Sequence, residues 1–241
     1  MNKFRNSKKL VKLLLALSYL AVFDSGVYAG SISPPTTPTG ISLDAPWKVQ
    51  VYEFAKKNVV HPSWGLAHSE RDYQTTYLLA RGQGIAIDLD VLFACAFLHD
   101  LGGLGQFKKE GVDHAVRSAE LSDAILQPTG FPMEKLPQVK EMILGHTYYG
   151  PVPQSKAAFL FRDADILDFL GTIGIARILA ITEESKNPAL ASTVGLINSF
   201  ITDLPPKISS PMAQNLAKKR TLEMKSFIQS LGLYTYGGKA L

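Results

Sequence analysis

Cysteine is nearly absent from these 241 residues: Cys95 is alone, so no intramolecular disulfide can form even in an oxidising compartment. Embedded in the apolar run 91–98, it reads as a small core hydrophobe. Membrane-spanning runs are lacking too. The N-terminal apolar run Leu13 to Phe23 has 11 residues, against the roughly 20 that a helix needs to cross a bilayer. No cysteine follows that run to accept a lipid, and no Arg-Arg pair precedes it, which removes the lipoprotein and twin-arginine routes. There is no alternating strand pattern of useful length and no internal repeat.

What stands at the N-terminus is a basic head (Lys3, Arg5, Lys8, Lys9, Lys12), the apolar run, then Val27-Tyr28-Ala29 before Gly30. That is the order of a secretory signal with a small-residue cleavage site. Residues 1–29 are therefore expected to be a signal peptide, cleaved after Ala29, and the protein to be periplasmic or secreted. An uncleaved N-terminal anchor is the weaker alternative, so no stable membrane span is expected afterwards. Removing this segment takes away five of 25 basic and one of 21 acidic residues, leaving 20 against 20. The net charge of +4 belongs to the signal, and polymeric nucleic acid loses its electrostatic support as a partner.

Residues 30–42 carry Pro34, Pro35 and Pro38 among Ser, Thr and Gly, a composition that predicts a flexible tether. The folded domain is expected over 43–241. Helical signals run from Pro46, behind a possible Asp44 cap, to Val59. They recur from about Ser63 to Ala80, Leu89 to His99, Asp113 to Leu126, Met133 to His146, Gln154 to about Thr182, Leu190 to Ile201, and Pro211 to Leu231. Glycines close several of them.

All five histidines lie between positions 61 and 146. His61, before Pro62 in a turn, reads as structural. The others fall in an ordered series: His68-Ser69-Glu70-Arg71, then His99-Asp100 ending an apolar run, then His114-Ala115, then His146, then Asp163-Ala164-Asp165-Ile166-Leu167-Asp168. Any one of these is weak evidence, since a His-Asp pair arises by chance. Imidazole and carboxylate together suit Mn, Fe, Ni or Zn.

In combination and in order, these pieces resemble the HD-domain superfamily of metal-dependent phosphohydrolases, over roughly Trp64 to Arg177. The resemblance implies an all-α helical bundle with a central divalent metal held by His68, His99, Asp100 and Asp165. Four protein ligands on a six-coordinate ion leave places for water and substrate, as hydrolysis needs. Periodicity alone would not select Asp165, because Asp168 lies nearer the centre of the apolar stripe through Leu160, Ala164, Leu167, Gly171 and Ile175. The resemblance selects it, and leaves Asp163 or Asp168 to support a histidine or an arginine from behind.

His114 shares a helix face with Ser118, Leu121 and Ile125, and His146 with Val139, Met142 and Ile143, so both are expected to point inward. In two-metal relatives such histidines complete a second site; here they are read as lining the substrate pocket of a one-metal enzyme. Arg71, one turn from His68, is placed with them in the catalytic group, pairing a phosphate or orienting a ligand carboxylate, with a plain structural ion pair as the alternative. The leading expectation is hydrolysis of a phosphate ester or anhydride in a small molecule such as a nucleotide. A two-iron oxygenase, a small-nitrile hydratase and a metal-binding module without catalysis remain alternatives on the same scaffold.

Overall fold

The computed structural model describes residues 33–182 and 189–241, and residues 34–241 pack as one unit. The expected signal peptide lies outside the described residues. Among the described residues the chain is all α-helical: α1 (Pro46–Asn58), α2 (Leu66–Gly82), α3 (Leu89–Leu98), α4 (His114–Leu126), α5 (Leu136–Gly145), α6 (Lys156–Asp168), α7 (Gly171–Ala180), α8 (Leu190–Asp203) and α9 (Pro211–Tyr234). None of these helices is long and apolar enough to cross a membrane.

α3 is the centre of the bundle, and its sequence requires that. Every side chain from Val91 to Leu98 is buried, as expected for a helix that is apolar all round. Phe93, Phe97, Leu92 and Leu98 each contribute about 1.5–3 kcal/mol by that burial. The Asp88 carboxylate caps the helix by accepting from the amides of Asp90 and Val91. α1, α4 and α5 surround α3 in one apolar core, while α6, α7, α8 and α9 share a second. α2 packs along both α3 and α6, so His68 on α2 lies where the two cores meet.

Three expectations change. The helix predicted from Gln154 to Thr182 is two helices, broken at Phe169-Leu170, with Gly171 at φ +75° opening the second. A Cβ at Gly171 would lie 2.7 Å from the Glu223 carboxylate, so glycine meets both the backbone and the packing there. The described part of the predicted tether, residues 33–42, is also more ordered than its composition implied. Thr37 and Ile41 are buried, and the Thr37 and Thr39 hydroxyls donate to Glu70 on α2 at 3.1 and 2.6 Å. Asp44 does not cap α1; it pairs with Lys48 at 2.7 Å.

Candidate metal centre

Each predicted ligand is delivered by a helix end or a helix face. α3 ends at Leu98, so His99 and Asp100 follow directly from its buried tip. His99 Nδ1 lies 3.0 Å from the Ala96 carbonyl, which can only accept, so that nitrogen carries the proton. Its Nε2 lone pair then faces the Nε2 of His68, 3.3 Å away. His68 is oriented in the same way: its Nδ1 donates to Asp168 at 2.8 Å, leaving Nε2 turned inward. Around that nitrogen lie Asp165 Oδ1 at 3.4 Å and Asp100 Oδ2 at 3.5 Å. The structure therefore brings His68, His99, Asp100 and Asp165 together.

Asp168 supports the site from behind. It receives Nε and an Nη of Arg71 at 2.7 and 2.8 Å and pairs with Arg177 at 2.9 Å. Burial pushes its carboxyl up, but His68, Arg71 and Arg177 hold it well below the usual range. Of the roles open to Arg71, its contacts fit those in which it pairs with a carboxylate. Its Nε and one Nη are closed on Asp168, the arrangement of an arginine that positions a carboxylate. Asp163 is structural: it accepts from the amides of Ser209 and Ser210, both at 2.8 Å, just before α9. His61 accepts from the amides of Ser63 and Trp64 and stacks on Trp64.

His114 and His146 point inward, as their helix faces predicted. Their Nε2 atoms lie 3.2 Å apart, and both face the second oxygen of Asp100, Oδ1, at 3.3 and 3.5 Å. His146 Nδ1 donates to the Ile143 carbonyl at 2.5 Å. His114 Nδ1 meets the Tyr149 hydroxyl at 3.2 Å. Asp100 thus joins two imidazole pairs through its two oxygens. Although burial pushes the Asp100 carboxyl up, the surrounding histidines keep it well below its ordinary value. The His114 imidazole is raised in turn, since Asp100 and Asp113 outweigh its burial.

Sequence reasoning missed Asp72. One turn after His68 on α2, it is fully buried, and its Oδ2 lies 3.1 Å from His68 Nε2 and 3.6 Å from His99 Nε2. Burial holds its carboxyl up at about 7. Neither oxygen makes a hydrogen bond. Such unsatisfied buried acceptors are rare in native proteins. Together with inward imidazole nitrogens, they fit a site for a divalent ion. His68, Asp72, His99 and Asp165 place one ligand atom each within 4.8 Å of one another, as do His99, Asp100 and His146.

The centre borders a cavity of about 570 Å³ whose lining includes Asp100, Asp165, His114 and His146. Its walls include Trp64, Tyr148, Phe169 and Phe200, and Lys108 is the sole Lys or Arg among the described lining residues.

No curated protein matches the chain in sequence. The sequence model described as the HD domain matches residues 65–170. Solved structures share the fold at low identity. A Lactobacillus plantarum protein is 19% identical with a TM-score of 0.59, over 83% of this chain and 98% of its own. A predicted HD superfamily hydrolase from an uncultured Thermotogales bacterium is 23% identical with a TM-score of 0.55, over 79% and 91%. Bacillus subtilis YpgQ in complex with ADP is 19% identical with a TM-score of 0.59, over 77% and 93%. The matched stretch, residues 65–170, spans helices α2 to α6 with the histidines and aspartates they position, and it carries an HD domain.

Proposed function

We propose that the protein is a metal-dependent hydrolase acting on a phosphate ester or anhydride of a small molecule such as a nucleotide. The observation that carries this reading is the convergence of His68, His99, Asp100 and Asp165, the last two of which line a cavity. HD domains bind divalent metals, and these four residues would hold one. An ion there supplies Lewis acidity and a water acidified towards neutral pH.

The chain's own groups provide the rest. His114 lines the cavity, and its neighbours Asp100 and Asp113 favour the protonated form that could hand a proton to a leaving oxygen. Lys108 offers a cation to a phosphate, while Arg71, Arg162 and Arg177 are engaged elsewhere. One available cation among the described lining residues favours a substrate with one or two phosphates. The aromatic walls suit a flat body such as a nucleobase, and a structural relative was solved with ADP.

The test is metal analysis of the pure protein followed by a screen of phosphate monoesters and nucleotides. Phosphate release that stops on chelation and returns with Mn, Fe, Ni or Zn is the expected result. Metal-loaded protein that releases no phosphate from any of them would overturn the reading.

A second reading has its own support: the two oxygens of Asp100 face two imidazole pairs, as a carboxylate shared by two ions would. A one-metal enzyme keeps about one ion per chain after His114→Ala or His146→Ala. In a two-metal enzyme, including an oxygen-consuming two-iron form, each change removes the second ion.

A further inference from the structure

Asp72 is buried with neither oxygen hydrogen-bonded, an unfavourable place for a carboxylate unless a positive charge meets it. The nearest nitrogens do not supply one as neutral imidazoles. His68 and His99 donate their Nδ1 protons to Asp168 and to the Ala96 carbonyl, so their Nε2 lone pairs face the Asp72 oxygens. Lone pairs pointing at lone pairs repel unless a proton or a metal ion lies between them, and one proton can serve only one of these contacts.

We infer that Asp72 is itself a ligand of the ion, a fifth protein donor beside His68, His99, Asp100 and Asp165. Its spacing from His68 is the helical one, which puts both side chains on one face of α2. Four other donor atoms surround His68 Nε2: Asp72 Oδ2 at 3.1 Å, His99 Nε2 at 3.3 Å, Asp165 Oδ1 at 3.4 Å and Asp100 Oδ2 at 3.5 Å. Bonds of about 2.1 Å to an octahedral ion set neighbouring donors about 3 Å apart, four around each. Seen from His68 Nε2 the donors match that pattern in number and nearly in spacing, and His68, Asp72, His99 and Asp165 also lie within 4.8 Å of one another, with Asp100 joined to them through His68 and His99. Five of them leave one position open, and three carboxylates bias the site towards an oxygen-preferring six-coordinate ion such as Mn²⁺ over four-coordinate Zn²⁺.

This inference rests on the metal reading proposed above, and one experiment separates the two. Metal-stripped full-length protein, Asp72→Asn and Asp72→Ala are titrated with Co²⁺ against a competing chelator, with the visible ligand-field bands recorded. Both variants should bind Co²⁺ at least tenfold more weakly, with altered band intensity because the coordination number has changed. Metal-free Asp72→Asn should melt above the metal-free parent, since the bare buried carboxylate is gone. Affinity within twofold of the parent overturns the inference, as does weaker binding with unaltered bands, which marks a residue acting through His68. A metal-free Asp72→Asn that melts lower or fails to fold also overturns it, by making the role structural. Parent protein that binds no Co²⁺ sinks the metal reading and this inference with it.

Discussion

His68 and His99 each commit one ring nitrogen to a fixed acceptor, and that settles where the other points. Asp100 differs, because both its oxygens face imidazoles. Asp100→Ala should therefore abolish metal-dependent turnover and reduce bound metal while leaving helix content largely intact. Metal analysis, a turnover assay and circular dichroism of the variant check this; unchanged metal and activity would mean that the His-Asp pair has another role. The order of His68, His99-Asp100 and Asp165 was legible in the chain because spacing along helices carries it. Asp72 was not. Within Glu70-Arg71-Asp72 it looks like part of an exposed charge run, yet Glu70 and Asp72 are both buried, on different partners. Sequence periodicity does not separate a buried polar face from a solvated one.

Most helices were legible from caps, glycines and apolar spacing, and their ends fell within a few residues. The break between α6 and α7 was not, since Leu167, Gly171 and Ile175 keep the helical stripe running across it. Gly102 shows what holds the element after α3 in place. Its amide donates to Ser118 Oγ on α4 at 2.8 Å, and a Cβ there would meet the His114 carbonyl oxygen at 2.5 Å and the Ser118 nitrogen at 2.6 Å. Backbone cannot move aside as a flexible side chain can. Gly102→Ala should cost about 1–3 kcal/mol in denaturant unfolding and depress turnover more than its stability loss explains, by shifting Asp100 against His114. The start of α3 carries a pH signature. Asp90 pairs with Lys48 at 3.0 Å and Lys135 at 2.7 Å, and these outweigh partial burial to lower its carboxyl. A depressed acid contributes stability that is full above its unfolded pKa of about 3.9, and that is lost as pH falls through the folded value. Asp90→Asn should therefore melt below the parent at pH 7, with the two curves converging as the pH is lowered below 4; a gap that persists unchanged there would contradict the assignment.

On the scale of the whole chain, residues 1–29 are proposed to be removed on export. N-terminal sequencing of protein from the producing cell should begin at Gly30 in a periplasmic or secreted fraction, and an intact Met1 on soluble cytoplasmic protein would end that proposal. The all-α class was legible because apolar spacing marks helices; the meeting of two cores around α2 was not, because contacts between distant segments leave no local period. That meeting has a consequence for how the molecule can change. The donor atoms come from α2, the tip of α3 and α6, whereas much of the opposite cavity wall comes from α7 and α8, through Ile178, Leu196 and Phe200. Phe200→Ala should thus alter KM among substrates of different girth while bound metal stays constant, and loss of metal in that variant would contradict this separation. Arg177 ties α7 to Asp168 behind the reactive end, whereas α8 supplies none of the donors, so the choice of molecule can drift through α8 while the chemistry is inherited unchanged.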